Sequence, residues 1–82
     1  MTYKEAEELA QSIDNKLKAT DFGATSVQVT HMDGSMFFFM AAFAEEYEDY
    51  WLVFTEHYKF HVFPSDEIKI RQFKRMDYGR NA

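Results

Sequence analysis

His57 and His61 stand four positions apart, a spacing that on a helix would put two imidazoles on one face and invite zinc. On a strand, at about 3.3 Å per residue, the same spacing separates them by roughly 13 Å, too far to share one ion. Tyr58-Lys59-Phe60-His61-Val62-Phe63 reads as strand, so no metal is expected and the histidines are ordinary turn or surface residues. The chain has no cysteine, which excludes a thiolate nucleophile, a thiolate metal site and a disulfide framework. It has no phosphate-cradling glycine-rich loop, nucleophile elbow or evident pair of catalytic carboxylates, so neither catalysis nor a cofactor is expected. What remains is the chemistry of binding. Lys69 and Arg71 alternate with Ile68 and Ile70, share a strand face with Phe73, and are followed by Lys74 and Arg75. Cations beside an aromatic ring suit phosphate and base, although edge strands also carry Lys and Arg simply to block aggregation.

Charge is unevenly spread around the formal total of −5. Residues 1–57 hold three Lys/Arg against eleven Asp/Glu, net −8, whereas residues 58–82 hold six against three, net +3. An acidic surface slows encounter with nucleic acid, yet a local basic strip can still bind it. The run Glu45-Glu46-Tyr47-Glu48-Asp49 reads as a solvated loop, or as a patch that meets a basic partner or mimics DNA. A length of 82 residues allows one domain, spanning 1–82. Such a domain buries only about 60 % of its unfolded surface and gains from assembly. Lys4, Glu5, Glu7 and Glu8 occupy the place of a signal peptide's basic and apolar segments. No apolar run approaches ~18 residues, so a cytoplasmic location without membrane contact is expected.

The elements that must position these residues follow from pattern. Thr2 and Glu5 have capping-box spacing, and Ala6, Leu9, Ala10, Ile13 and Leu17 form one apolar stripe, which predicts a helix over 3–19. Val27, Val29 and His31 alternate with Ser26, Gln28 and Thr30, which predicts a strand over 25–32. Asp33-Gly34 predicts a two-residue hairpin turn, with an antiparallel strand returning over 35–45. The acidic run should end that strand in a loop, because continuing it would bury charge. Tyr50–Thr55 resumes the sheet, Glu56-His57 turns, Tyr58–Phe63 is the fourth strand, and Pro64 breaks the ladder. Ile68–Lys74 alternates at period two as a fifth strand, although Ser65-Asp66-Glu67 also resembles a helix start. Residues 76–82 read as a polar tail.

One segment strains this scheme. Met36-Phe37-Phe38-Phe39-Met40-Ala41-Ala42-Phe43 is apolar on both faces of a strand, and one helix covers only one face. Met36 and Met40 are expected to fill gaps in a core. The sheet must curl onto itself, or the chain must assemble, because a monomer seldom leaves more than a few hundred Å² of contiguous apolar surface in water.

One helix followed by five antiparallel strands resembles the Sm-like (LSm) family, which includes bacterial Hfq. The resemblance spans roughly residues 3–74. It rests on Val27-Gln28-Val29-Thr30-His31-Met32-Asp33-Gly34, on Tyr47-Glu48-Asp49-Tyr50-Trp51-Leu52-Val53-Phe54, and on Phe63-Pro64-Ser65-Asp66-Glu67-Ile68 where a second motif would lie. It implies an α+β, mostly β fold: an N-terminal helix followed by a strongly bent five-stranded antiparallel sheet closing into a small barrel. It also implies a homo-oligomeric ring of five to seven subunits, in which the fourth strand of one pairs with the fifth of the next. Phe60, Val62, Ile68 and Ile70 are the candidates for that seam, or equally for internal core. The function implied is non-catalytic RNA binding or RNA processing on single-stranded RNA, with Tyr50 at the family's base-stacking position; Lys69 and Arg71 would contact phosphate if the C-terminal strand faces the nucleic acid. The pocket is atypical: Leu52 stands where Sm proteins use an asparagine, and Pro64-Ser65 or Ser65-Asp66 stands where the family carries a cation. Such divergence suits a phage or mobile element. The other reading is an acidic dimeric protein-binding module of inhibitor, immunity or anti-defence type.

Overall fold

The computed structural model describes residues 1–17, 25–55 and 59–74. It is an α+β fold with one N-terminal helix and six strands in two antiparallel sheets. Helix α1 (Tyr3–Lys16) starts at the capping box: the Glu5 N–H donates to Thr2 Oγ1 at 3.1 Å and the Thr2 N–H to Glu5 Oε1 at 2.7 Å. Its last helical residue is Lys16 and Leu17 is the C-cap; residues 18–19 of the predicted helix and the Asp21-Phe22-Gly23 stop lie outside the described residues. The strands are β1 (Thr25–His31), β2 (Met36–Phe39), β3 (Ala42–Tyr47), β4 (Tyr50–Thr55), β5 (Lys59–Pro64) and β6 (Ile68–Lys74), with a 3₁₀ turn at Ser65–Glu67 before the last.

The first sheet has the order β2-β1-β6 and the second β3-β4-β5. They form three layers: the helix on the second sheet, and the second sheet on the first. Ala6 and Ala10 reach zero exposure and let α1 approach closely over Leu52, Phe54 and Val62. Val27, Val29 and Ile68 of the first sheet meet Ala42, Ala44 and Val53 of the second. Strand β4 lies between these two cores, which is why Leu52, Val53 and Phe54 are all buried in sequence.

Six strands replace the predicted five because the single strand expected over 35–45 breaks at Met40-Ala41. Phe37 and Phe39 share the inner face with Val29 and Val27, their partners across β1. A continuous strand would bring Ala41 and Phe43 next onto that face. Instead Ala42 and Ala44 turn toward Val27 and Val29, while Ala41 and Phe43 join the helix-side core. The break thus shifts the alternation by one residue, and a shift of one exchanges the two faces of a strand. The doubly apolar ribbon uses different sides in its two halves. A closed barrel is not formed by hydrogen-bonded strands among the described residues; two packed three-stranded sheets take its place.

Four local expectations are corrected. The hairpin turn has three residues, not two: His31 N–H donates to the Ser35 carbonyl, the Gly34 N–H to the His31 carbonyl, and Gly34 sits at φ +93°. A turn closed by a left-handed glycine is the usual three-residue hairpin. The acidic run does not leave the sheet at Glu45: β3 continues through Tyr47, with Glu45 and Glu46 exposed opposite Leu52 and Trp51, and only Glu48-Asp49 form the turn. The run is compatible with a strand because its carboxylates reach water. Pro64 closes β5 rather than following it, which an edge strand tolerates since its missing N–H costs no ladder bond there. Strand β1 ends at His31, one residue before its predicted end, and β6 is a strand rather than a helix. The Glu56-His57 turn, Tyr58 and the tail at 76–82 lie outside the described residues.

Side chains tie the two sheets together along the open edge of β3. The Ala44 N–H donates to Gln72 Oε1 at 3.0 Å and Gln72 Nε2 donates to the Ala44 carbonyl at 2.8 Å, so one amide replaces a missing strand. Thr25 Oγ1 donates to the Ala42 carbonyl.

Candidate nucleic-acid interface

Register assigns the faces of the first sheet. Val27, Val29, Ile68 and Ile70 point inward, so Ser26, Gln28, Thr30, Met36, Phe38, Lys69, Arg71 and Phe73 share the outer face. Among the described residues neither helix nor sheet covers it. Phe38 is 50 % exposed and Met36 58 %, so Met36 does not fill a core gap as expected; nor does Met40, at the break and 63 % exposed. Phe38 and Phe73 flank β1 from opposite sides and their ring centres lie 6.3 Å apart. The Arg71 guanidinium carbon stands 5.3 Å from the centre of the Phe73 ring, within cation–π range. Lys69 is exposed one pleat further along β6. The arrangement is two aromatic rings with a cation against one of them, edged by the amide and hydroxyls of Gln28, Ser26 and Thr30. Exposed rings and cations on one face have the chemistry to stack unpaired bases and to neutralise phosphate.

Tyr50, the predicted stacking residue, lies elsewhere. It opens β4 on the helix side, half-buried and edge-on to Tyr3 with ring centres 6.2 Å apart. Burial raises its phenol above the usual range, and Asp49, Asp66 and Glu67 add to the shift. The Ser65 N–H donates to the Asp49 carbonyl at 2.8 Å, which draws these acidic segments together. Lys69 and Arg71 therefore share one surface, while Tyr50 stands across the second sheet from them in an acidic neighbourhood.

Of the seam candidates, Val62 and Ile68 are buried in the two cores, and Phe60 and Ile70 pack against them. Their side chains serve the interior of the chain. The backbones of β5 and β6 are nevertheless edges, each paired on one side only among the described residues.

A third cluster was missed in the sequence because it joins distant segments. His31 meets Phe37 and Phe63 edge-on, with centres at 5.4 and 5.7 Å, and His61 lies 5.0 Å from Phe39 and stacks toward Phe63 at 6.3 Å. This chain of rings crosses from the first sheet to the second. Burial lowers the His61 pKa below the usual 6.5, and the nearby Lys59 ammonium lowers it further. An apolar groove of about 430 Å³ beside the strand break is lined by Phe38, Phe39, Met40, Lys59 and His61, among others. Among the described residues no cluster of three His, Cys, Asp or Glu could hold a metal ion, and no helix is long and apolar enough to cross a membrane. Comparison with protein-family models, with curated proteins and with solved structures finds no match.

Proposed function

We propose that this chain is a non-catalytic Sm-like protein that assembles into a homo-oligomeric ring of five to seven subunits and binds single-stranded RNA on the outer face of its first sheet. The observation that carries the reading is the joint exposure of Phe38, Phe73, Arg71 and Lys69 on one uncovered sheet face. In a protein whose net charge is −5, two of the nine Lys/Arg stand on this face beside two exposed rings, and no carboxylate is among the residues that form it. Double-stranded nucleic acid keeps its bases stacked inside and offers such rings nothing, whereas a single strand offers both bases and phosphates.

The Sm-like assignment is supported by strand order. If β2 and β3 are traced as one strand broken at Met40-Ala41, the order is β6-β1-β2/β3-β4-β5, and the two outermost strands are the two proposed to pair between subunits. Pairing β5 of one subunit with β6 of its neighbour would satisfy both edges and close a ring if the rotation allows.

Anisotropy titration with labelled 15-nucleotide uridine-rich and adenine-rich RNA tests the function. Phe73→Ala should weaken binding by about 1–3 kcal/mol through lost stacking. Arg71→Gln should lower the salt slope by about 0.7. Tyr50→Ala examines the acidic rim separately: a loss of similar size would move the stacking position there. Failure of wild type to bind any single strand, together with a dimeric mass, would favour the acidic protein-binding module.

A further inference from the structure

We propose that strand β2 is a homotypic assembly edge: a second copy of this chain pairs with it antiparallel about a two-fold axis and continues the first sheet as β6-β1-β2:β2-β1-β6. Among the described residues β2 hydrogen-bonds only to β1, so its other edge has no strand partner. Edge strands are ordinarily guarded by charge or proline. Lys59 guards β5, and Lys69, Arg71 and Lys74 guard β6. Residues 34–44 contain no charge and no proline, between Asp33 and Glu45.

The same contrast identifies the occupant. In a two-fold contact each residue meets its own kind or a near neighbour. A β6–β6 contact would set cations against cations, so β6 suits a different strand as partner. A β2–β2 contact brings only Met and Phe together, and two chains of net charge −5 meet there without opposing their charges. Edge pairing covers the flanks of Met36, Phe37, Phe38 and Met40, each half or more exposed, and leaves their outer surfaces in water, so the contact is carried by backbone hydrogen bonds and apolar flanks with no charge to desolvate.

Edge pairing leaves side chains on their own faces. The two copies of Phe38 therefore meet on one outer surface, and the rings run Phe73, Phe38, Phe38, Phe73 across the axis. The pairing needs neither RNA nor the ring; only the value of this doubled platform rests on the function proposed above.

Light scattering coupled to size exclusion, on wild type and on the Met36→Lys/Phe38→Lys double variant, tests it at two protein concentrations. Both positions face solvent, and circular dichroism checks that the fold is kept. A wild-type particle of even chain number whose mass halves in the variant, with association at least tenfold weaker, is the expected result. A ring of five to seven that the variant leaves unchanged overturns the β2 contact and keeps the ring. A wild-type dimer that the variant makes monomeric keeps the contact and removes the ring. A wild-type monomer at tens of micromolar overturns both. If the variant does not fold, amide exchange on wild type decides: protection of Phe37–Phe39 that rises with protein concentration supports the pairing, and concentration-independent rapid exchange refutes it.

Discussion

Replacing Gln72 with alanine removes the side chain that pairs both backbone groups of Ala44. Ala44 is 5 % exposed, and its N–H and carbonyl hold the Gln72 amide at 3.0 and 2.8 Å. A net hydrogen bond contributes about 0.5–1.5 kcal/mol, and a buried group left unpaired costs about 1–3 kcal/mol. Gln72 itself is exposed, so water can reach part of the vacated site and the lower range applies to each group. The expected loss is about 1–3 kcal/mol in all, read as a lower urea midpoint at unchanged slope. Gln72→Glu sharpens the test. Its carboxylate can still accept from the Ala44 N–H but opposes the Ala44 carbonyl, which favours the protonated form and raises the glutamate pKa on folding. The Gln72→Glu protein should therefore gain stability relative to wild type as pH falls through that raised pKa, where the protonated oxygen can donate to the carbonyl. Hydrogen exchange at the Ala44 amide reports the same bond directly. A Gln72→Ala midpoint within the equivalent of about 0.5 kcal/mol of wild type, with Ala44 protection unchanged, would refute the view that this amide stands in for a strand.

Gly34→Ala should destabilise by about 1–2 kcal/mol although no atom lies within 4 Å of the added carbon, because φ is +93°; Gly34→Asn should recover part of the loss in a thermal melt. Phe54→Ala should cost about 3–5 kcal/mol by opening a cavity under α1, and a change below 1 kcal/mol in denaturant titration would contradict the layer order. The pKa of His61 is lowered by burial first and by Lys59 second, so between that lowered value and 6.5 the unfolded chain binds more protons than the folded one. The contribution is complete above pH 6.5 and is lost as pH falls through this window. Urea midpoints at pH 7.5 and 5.0 should show a smaller acid-induced loss in His61→Gln than in wild type, and equal losses would count against the burial of this ring.

The helix stripe and its capping box were legible because each depends on residues within five positions of one another. The extents of β4 and β6 were legible for the same reason: period-two alternation and flanking turn residues are local. Several features were not. The break at Met40-Ala41 leaves no glycine or proline to announce it, and it becomes necessary only because the second sheet folds over the first. Glu45 and Glu46 looked like strand breakers, since their exposure depends on where the two layers stop overlapping. The candidate site was half visible. Lys69, Arg71 and Phe73 share one strand and could be grouped by alternation, whereas Phe38 comes beside Phe73 only through two registers that pass across β1. Tyr50 was chosen by family position, and nothing in its own neighbourhood announced that it packs with Tyr3 under the helix. The His31-Phe63-His61-Phe39 chain joins three strands and had no sequence signal at all.

The measurement closest to the central claim is the anisotropy titration of a labelled single-stranded RNA at 50 and 200 mM salt, on wild type and on Phe38→Ser/Phe73→Ser. With Lys69 and Arg71 both on phosphate, a slope of about −0.7 per contact predicts roughly sevenfold weaker binding at the higher salt. The double variant should keep that slope and lose tenfold or more in affinity at both salt concentrations. No saturable binding at 50 mM salt, or equal affinity of wild type and variant, would contradict a nucleic-acid platform on the outer face of the first sheet.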